Sequence, residues 1–233
     1  MNNNYDEILD IILTFVEDED ISNKLIYSGD IIPFLIKDIE SNKYHNDIEI
    51  LVEFDDMRLV RKTIYNLSKE FDFEILLDTN KVTTHDYGFR IKYDNTVISI
   101  HPYSIKKNNL YIRSFTISQD MKKVIQKLRK IPNFNETDAF RTLEIKDNKI
   151  IKIITPEFLL SDLESKDNTD KKIIEMLYKI SDKKLLKITK KAIQKTETTL
   201  TEEEIKPKII DQNIIIIALI IIVITILILM VVF

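Results

Sequence analysis

Hydrophobic and polar positions alternate along the chain with two periods, one typical of helices and one typical of strands. Apolar residues repeat every three to four positions on a helix that faces a core, and every second position on a strand. In the first seventy residues these patterns predict a helix at 5–17, a strand at 24–27, a helix from Asp30 to Ile39, a strand at 47–53 and a helix from Asp55 to about Lys69. Asp30 is the expected cap of the second helix, and Leu59 is expected to face inward in the third.

Residues 71–195 are predicted to form β-structure followed by helices. The expected elements are strands at 71–77, 87–93, 96–103 and 110–116, a helix at 118–130, a hairpin within 143–154 that turns at Asp147-Asn148, a helix that begins at Thr155, and helices at about 169–181 and 182–195. Asp94-Asn95 suits a two-residue hairpin turn. The order of elements predicts a mixed α/β (α+β) domain at 1–154, with a mixed sheet flanked by helices, and a helical C-terminal part at 155–195.

The chain ends in a long uncharged apolar run, residues 214–233, in which Thr225 is the one polar side chain. Twenty helical residues measure about 30 Å, the thickness of a bilayer hydrocarbon core, so the run predicts a single transmembrane helix. A buried core helix is the alternative. Lys206 and Lys208 precede the run, and lysines flanking a span favour the cytoplasmic side. The N-terminus lacks the basic region of a signal peptide, so we expect a membrane protein with a C-terminal anchor and a cytoplasmic domain.

Two segments before this run differ sharply in charge. Six lysines fall between 183 and 195, and they are expected either to contact anionic lipid or simply to form a solvated helix face. Residues 196–213 contain few apolar side chains until the last positions and are expected to be a tether. The whole chain carries a net charge of -4, which gives no strong signal for nucleic acid. It has no cysteine, which excludes disulfides and thiolate metal sites.

One combination of residues suggests chemistry. The strand that ends at Ser28-Gly29 is followed by a helix and then by a strand containing Asp47 and Glu49, which alternation places on one face. Two neighbouring carboxylates suit Mg²⁺, which in turn binds nucleotide phosphates. A glycine in the preceding turn allows the backbone to approach those phosphates. The acidic pair alone is equally compatible with a solvated strand face.

This combination resembles the nucleotidyltransferase superfamily, in which a Gly-Ser turn precedes a strand with Asp-x-Asp or Asp-x-Glu. The segments Pro156-Glu157-Phe158-Leu159 and Lys166-Asp167-Asn168-Thr169-Asp170 are similar to Pro-Glu-x-Leu and Lys-Asp-x-x-Asp helices of the branch with abortive-infection-type toxins and aminoglycoside nucleotidyltransferases. The resemblance covers about residues 20–180. It implies that Asp47 and Glu49 bind catalytic Mg²⁺, that Ser28 and Gly29 contact the phosphates of Mg-NTP, and that Lys166 contacts the nucleotide.

The chain also departs from that family's pattern. The turn is Ser-Gly, and Lys43 and His45 are the nearest candidates for the basic residue before the acidic pair. Ser99 stands where the resemblance places a third carboxylate. His101 shares the face of Ser99 and is a candidate base, although His101-Pro102 is equally suited to ending a strand.

Three hypotheses follow for the domain. It is an active transferase that moves a nucleoside monophosphate from Mg-NTP to an unknown acceptor, a catalytically degenerate nucleotidyltransferase fold that only binds, or a membrane-tethered protein-interaction domain. The sequence leaves open whether the protein is an enzyme. It identifies neither the acceptor nor any protein partner.

Overall fold

The structure is a computed structural model that describes residues 4–45, 47–165 and 170–205. The helices are α1 (Tyr5–Glu17), α2 (Ile32–Lys37), α3 (Met57–Glu70), α4 (Thr79–Val82), α5 (Glu136–Ala139), α6 (Pro156–Glu164), α7 (Lys171–Ile180) and α8 (Lys183–Ile193). The strands are β1 (Leu25–Ser28), β2 (Asp47–Glu53), β3 (Glu74–Asp78), β4 (Phe89–Tyr93), β5 (Thr96–Lys106), β6 (Asn109–Ile117), β7 (Lys123–Pro132), β8 (Phe140–Ile145), β9 (Lys149–Ile154) and β10 (Glu197–Glu204). Short 3₁₀ turns lie at Phe54–Asp56 and Lys146–Asn148.

The strands form one mixed sheet in the order β10-β7-β6-β5-β2-β1-β9-β8, with β4 joining β5 and β3 joining β4. The β2–β5 and β1–β9 pairs are parallel, and the remaining described pairs are antiparallel. Helices flank this sheet and bury their apolar faces against it, so the predicted mixed α+β architecture is confirmed.

The hairpin turns follow the sequence expectation. β4 and β5 meet at Asp94-Asn95, with Tyr93 paired to Thr96, and Asp94 adopts a positive φ of 48°. Asp147 and Asn148 also have positive φ, between β8 and β9. Asp and Asn tolerate this left-handed conformation better than most residues, which explains their use at both turns.

Gly88 permits close packing immediately before β4. Its φ is +103°, and a Cβ atom added there would lie 1.9 Å from the carbonyl oxygen of Ile100. A side chain at this position would therefore push β4 away from β5.

The predicted helix at 118–130 is wrong, because β7 occupies most of this segment. β7 pairs with β6 from Lys123 to Pro132 and with β10 on its other side. Val124 and Ile131 are fully buried. Apolar positions in this stretch fit a helical period as well as an alternating one, and long-range strand pairing decided between them.

The expectation of a tether is wrong for residues 197–204, which form the edge strand β10. Charge complementarity supports the pairing: Lys123 Nζ lies 3.2 Å from Glu202 Oε2, and Lys130 Nζ lies 3.0 Å from Glu197 Oε2. A polar strand is stable at an edge because both of its faces remain largely in solvent.

Two smaller expectations are also wrong. The N-cap residue of α2 is Ile31 rather than Asp30, whose side chain bonds elsewhere. Leu59 is 38% exposed on α3 instead of facing the core. The predicted transmembrane helix at 214–233 lies outside the described residues. Within 4–45, 47–165 and 170–205, no helix is long and apolar enough to cross a membrane.

Candidate functional site

A cleft of about 400 Å³ crosses one face of the sheet between β1 and β7. The strands contribute Ser28, Glu49, Leu51, His101, Ile112, Ser114, Lys127 and Arg129 to it. Gly29, Asp30, Lys43 and Tyr44 border it from the loops around α2, and Phe158, Leu159, Asp162 and Leu163 from α6. The cleft therefore has a polar floor on the sheet and a largely apolar wall on the helix.

The turn and the acidic strand of the sequence analysis meet in this cleft. β1 and β2 are antiparallel neighbours, and Ser28 is directly paired with Glu49. Gly29 follows with φ of +104°, a conformation that other residues rarely adopt. Glu49 is exposed at the cleft, where its carboxylate is accessible to a ligand. Tertiary structure thus brings together three of the predicted site residues.

The remaining predicted residues are described less fully. The backbone of Asp47 begins β2 and pairs with Val97 of β5, so that position 47 lies two residues from Glu49 on the same strand. Lys166 lies outside the described residues. Among the side chains that the structure describes, no group of three His, Asp or Glu residues is arranged to hold a metal ion.

Residues 47 and 49 nevertheless suit Mg²⁺ as a donor set. This ion prefers oxygen ligands and is commonly held by one or two carboxylates, with water and substrate phosphates completing its coordination. Two acidic positions on one strand beside an open cleft match that requirement. A site for an ion such as Zn²⁺ would normally need three or four protein ligands.

Asp30 connects the cleft to a buried polar network behind it. Its carboxylate bonds His45 Nδ1, and Lys43 Nζ lies 2.6 Å from its other oxygen. His45 Nε2 accepts a hydrogen bond from Ser41 Oγ at 2.7 Å, since the carboxylate requires the proton to sit on Nδ1. Burial raises the pKa of Asp30, but the bonds from His45 and Lys43 outweigh it and lower the pKa below its usual value.

This network gives Lys43 and His45 different positions. Lys43 lines the cleft, whereas His45 is fully buried and also fixed through its backbone to Asn4, 2.9 Å from its amide. Of the two candidates for the basic residue before the acidic strand, Lys43 is therefore the one that lines the cleft. The histidine instead holds the loop before that strand in place.

Ser99 is fully buried beneath the cleft rather than lining it. It is paired with Glu49 in the parallel β2–β5 ladder, and Arg90 Nε donates a hydrogen bond to its hydroxyl at 3.0 Å. The Arg90 guanidinium also lies over the ring of Phe115 and bonds its carbonyl oxygen. A fixed positive charge thus stands beside the position where the resemblance expected a third carboxylate.

His101 lines the cleft two residues further along β5, and β5 continues past it to Lys106, so His101-Pro102 does not end the strand. Its Nδ1 lies 3.3 Å from the carbonyl oxygen of Tyr87, which leaves Nε2 as the nitrogen that accepts a proton. Burial lowers the pKa of His101, while the nearby charge of Glu49 raises it in part. The net lowering keeps the ring neutral at pH 7.

The cations of β7 were not among the predicted site residues. Lys127 and Arg129 extend from this strand into the cleft, and Arg129 forms an ion pair with Asp162 of α6. They were missed because the segment was assigned to a helix. The spacing of two residues between the cations was the available signal.

Glu157 of the Pro-Glu-x-Leu segment has a structural contact. It is buried, and its carboxylate accepts a hydrogen bond from the amide of Asp182, the N-cap residue of α8. This contact joins α6 to α8 behind the cleft wall.

No protein-family model matches the chain, and no curated protein sequence matches it. Among solved structures, the antibiotic-resistance factor ANT(2'')-Ia is similar with a TM-score of 0.51 at 10% identity, over 81% of this chain and 90% of that protein. The lincosamide antibiotic adenylyltransferase LnuA, solved with lincomycin bound, gives a TM-score of 0.48 at 18% identity, over 77% of this chain and 100% of that one. The likeness to ANT(2'')-Ia shows that this chain has a nucleotidyltransferase-like fold.

Proposed function

We propose that the protein binds a magnesium nucleoside triphosphate in the cleft and transfers its nucleoside monophosphate to an acceptor. The observation that carries the proposal is that Ser28, Gly29 and Glu49 line one cleft, although Glu49 is distant in sequence from the turn. The nucleotidyltransferase-like fold supports the proposal as analogy, because one fold serves many functions.

The proposed roles follow from the chemistry of each residue. Asp47 and Glu49 hold Mg²⁺, which when bound neutralises phosphate charge. Gly29 lets the backbone approach the phosphates, and Ser28 contributes its hydroxyl. Lys166 contacts the nucleotide, as the family resemblance implies. Lys43 lines the cleft and is itself held by Asp30, so its charge is positioned before any ligand arrives.

The acceptor hydroxyl requires a base, and His101 is the residue we assign to that role. It lines the cleft and is neutral at pH 7, so it can take a proton. With an acceptor identified, His101→Gln is expected to slow turnover at least about 100-fold while Mg-NTP binding is retained. Unchanged turnover would show that His101 does not act as the base.

A binding module without chemistry is the second candidate function. The observation that favours it is Ser99, a neutral residue bonded by Arg90 where the family resemblance expects a third carboxylate. Such a protein binds Mg-NTP but releases no pyrophosphate with any acceptor. Binding and turnover therefore have to be measured separately.

Nucleotide binding can be tested by thermal unfolding of a chain that ends at residue 206, which retains every described element. Saturation at a hundred times Kd stabilises a protein by about 2.7 kcal/mol, which raises Tm by roughly 5 to 10 °C for a domain of this size. We expect this rise with Mg²⁺ and at least one NTP. Asp47→Asn and Glu49→Gln should abolish it.

Glu53→Gln is the matched control, because Glu53 is also an exposed acid of β2 but does not line the cleft. It should leave the nucleotide-dependent rise in Tm unchanged. If no NTP raises Tm in the parent chain, the nucleotide site is refuted. The third hypothesis, a protein-interaction domain, would then take its place.

We further propose that residues 214–233 anchor the protein in a membrane, with the domain on the cytoplasmic side. The support is the uncharged apolar run of twenty residues and the two lysines before it. Deletion of residues 207–233 is expected to move the protein from the membrane fraction to the soluble fraction. Continued sedimentation with membranes after the deletion would refute the anchor.

A further inference from the structure

Two adjacent helices carry a net positive charge in a chain that is acidic overall. Residues 171–195, which contain α7 and α8, carry nine lysines and two acidic residues. The whole chain has a net charge of -4, so the rest of the chain is strongly acidic by comparison. Such asymmetry indicates a surface that binds a negatively charged partner, rather than charge that only keeps the protein soluble.

The lysines of α8 occupy its exposed side. Leu186, Thr189, Ala192 and Ile193 face the core, while the opposite side presents the lysine face, which consists of Lys183, Lys184, Lys187, Lys191 and Lys195. None of these five lysines forms an ion pair with a described residue, in contrast to Lys190, which is paired with Glu164. Their charges are therefore not compensated within the part of the chain described here.

An exposed apolar side chain lies at the edge of the lysine face. Ile188 is 45% exposed and lies one turn from Lys184 and from Lys191. A shallow depression of about 200 Å³ adjoins it, lined also by Lys191, Lys195 and Asn133. Lysines beside an exposed apolar side chain suit an anionic lipid surface, because the lysines attract the head groups and the apolar side chain can enter the interface.

We infer that the lysine face of α8 lies against an anionic lipid surface when the protein is anchored. This inference rests on the proposed anchor, which places a bilayer near the domain. A membrane is favoured over nucleic acid because the same chain carries the apolar run at 214–233.

The lengths of the connecting segments are compatible with this arrangement. β10 follows α8, and its eight residues measure about 26 Å. The amide of Ile205 then bonds the carbonyl of Lys122, at the far end of β10. Residues 206–213 have a maximal reach of about 26 to 29 Å before the apolar run begins, enough to return to the level of α8.

The absence of cysteine makes a single-site probe straightforward in the full-length protein. Ile188→Cys, labelled with an environment-sensitive fluorophore, is reconstituted into vesicles of phosphatidylcholine or of phosphatidylcholine with about one third phosphatidylserine. We expect a blue shift and protection from an aqueous quencher in the anionic vesicles alone. The same label at Ile150→Cys, which is 63% exposed on β9, is the control and should show neither change.

Removal of charge tests the role of the lysines. Each lysine near an anionic surface contributes about a fivefold factor to binding, so substitution of three should reduce the equilibrium constant for contact between α8 and the membrane by about 100-fold. The combined variant Lys184→Gln, Lys187→Gln and Lys191→Gln is therefore expected to abolish the blue shift at position 188. Added salt should weaken the shift in the parent protein in the same direction.

The outcomes separate the inference from the anchor. If the protein is not recovered with vesicles after alkaline washing, the anchor fails and the inference fails with it. If the protein is recovered but the probe at 188 remains in water, or if its shift is the same in neutral vesicles, the anchor stands and the inference is overturned. A larger response to duplex DNA than to anionic vesicles at equal ionic strength would also overturn it and assign the face to nucleic acid.

Discussion

The hydroxyl group of Tyr27 is buried in β1 without a hydrogen-bond partner among the described residues. The side chain is almost completely buried, and burial raises the pKa of the phenol well above its usual value. An unpaired buried polar group costs about 1 to 3 kcal/mol, because the bonds that it makes to water in the unfolded chain are lost. Tyr27→Phe removes that group and leaves only a hydroxyl-sized void, since the ring remains. We therefore expect the substitution to stabilise the protein by about 1 kcal/mol.

Tyr65→Phe is the matched control, because it makes the same chemical change but is expected to lower the stability. The Tyr65 hydroxyl donates a hydrogen bond to Asp78 Oδ2 at 2.6 Å. Hydrogen bonds to charged groups contribute about 1.5 to 3 kcal/mol. Asp78 keeps Arg61 as a partner, with Arg61 Nε 3.2 Å from Asp78 Oδ1. The loss of stability in Tyr65→Phe should therefore fall near the lower end of that range.

Urea unfolding of the chain ending at residue 206, followed by circular dichroism at pH 7, measures both effects. A change of 1 kcal/mol corresponds to about 2 to 4 °C in Tm for a domain of this size, which gives a second readout. A loss of stability of more than about 0.5 kcal/mol in Tyr27→Phe, the lower limit of what a typical hydrogen bond contributes, would refute this expectation. That result would mean that the Tyr27 hydroxyl has a partner, such as a buried water molecule.

Three further predictions concern the packing and charges around the cleft. Gly88→Ala is expected to cost at least about 3 kcal/mol in urea unfolding, because its Cβ would meet the carbonyl of Ile100; a cost below about 1 kcal/mol would contradict the close approach. Asp30→Asn should lower the stability by about 1.5 kcal/mol at pH 7. Because folding lowers the pKa of Asp30, the stability difference between parent and variant should shrink as the pH falls below about 4, the pKa of this group in the unfolded chain. A stability difference that does not depend on pH would refute the ion pairing. Ser99→Asp should increase the Mg²⁺ affinity measured by calorimetry. The increase should be larger together with Arg90→Gln, because the Arg90 guanidinium competes with the metal for the new carboxylate. Equal affinities in parent and variants would show that position 99 does not face the metal.

The local elements were determined largely by the sequence itself. The amphipathic period of residues 5–17, the Asp94-Asn95 turn and the proline that begins α6 each act over a few neighbouring residues. These signals depend mainly on neighbouring residues, because backbone sterics and one apolar face suffice to produce them. The Ser28-Gly29 turn and the acidic strand were recognisable for the same reason.

Tertiary structure decided the features in which distant segments meet. The segments β7 and β10 are ambiguous or polar by themselves, and they became strands because each offered the other backbone partners and opposite charges. That pairing brings Lys127 and Arg129 into the cleft, where a helix would have placed different residues. Asp30 likewise became part of a buried network instead of a helix cap, since His45 lies within reach only in the folded chain. Hydrogen bonds and ion pairs between residues far apart in sequence depend on which strands are neighbours in the sheet and in what register, and the pattern of one segment does not identify its partner.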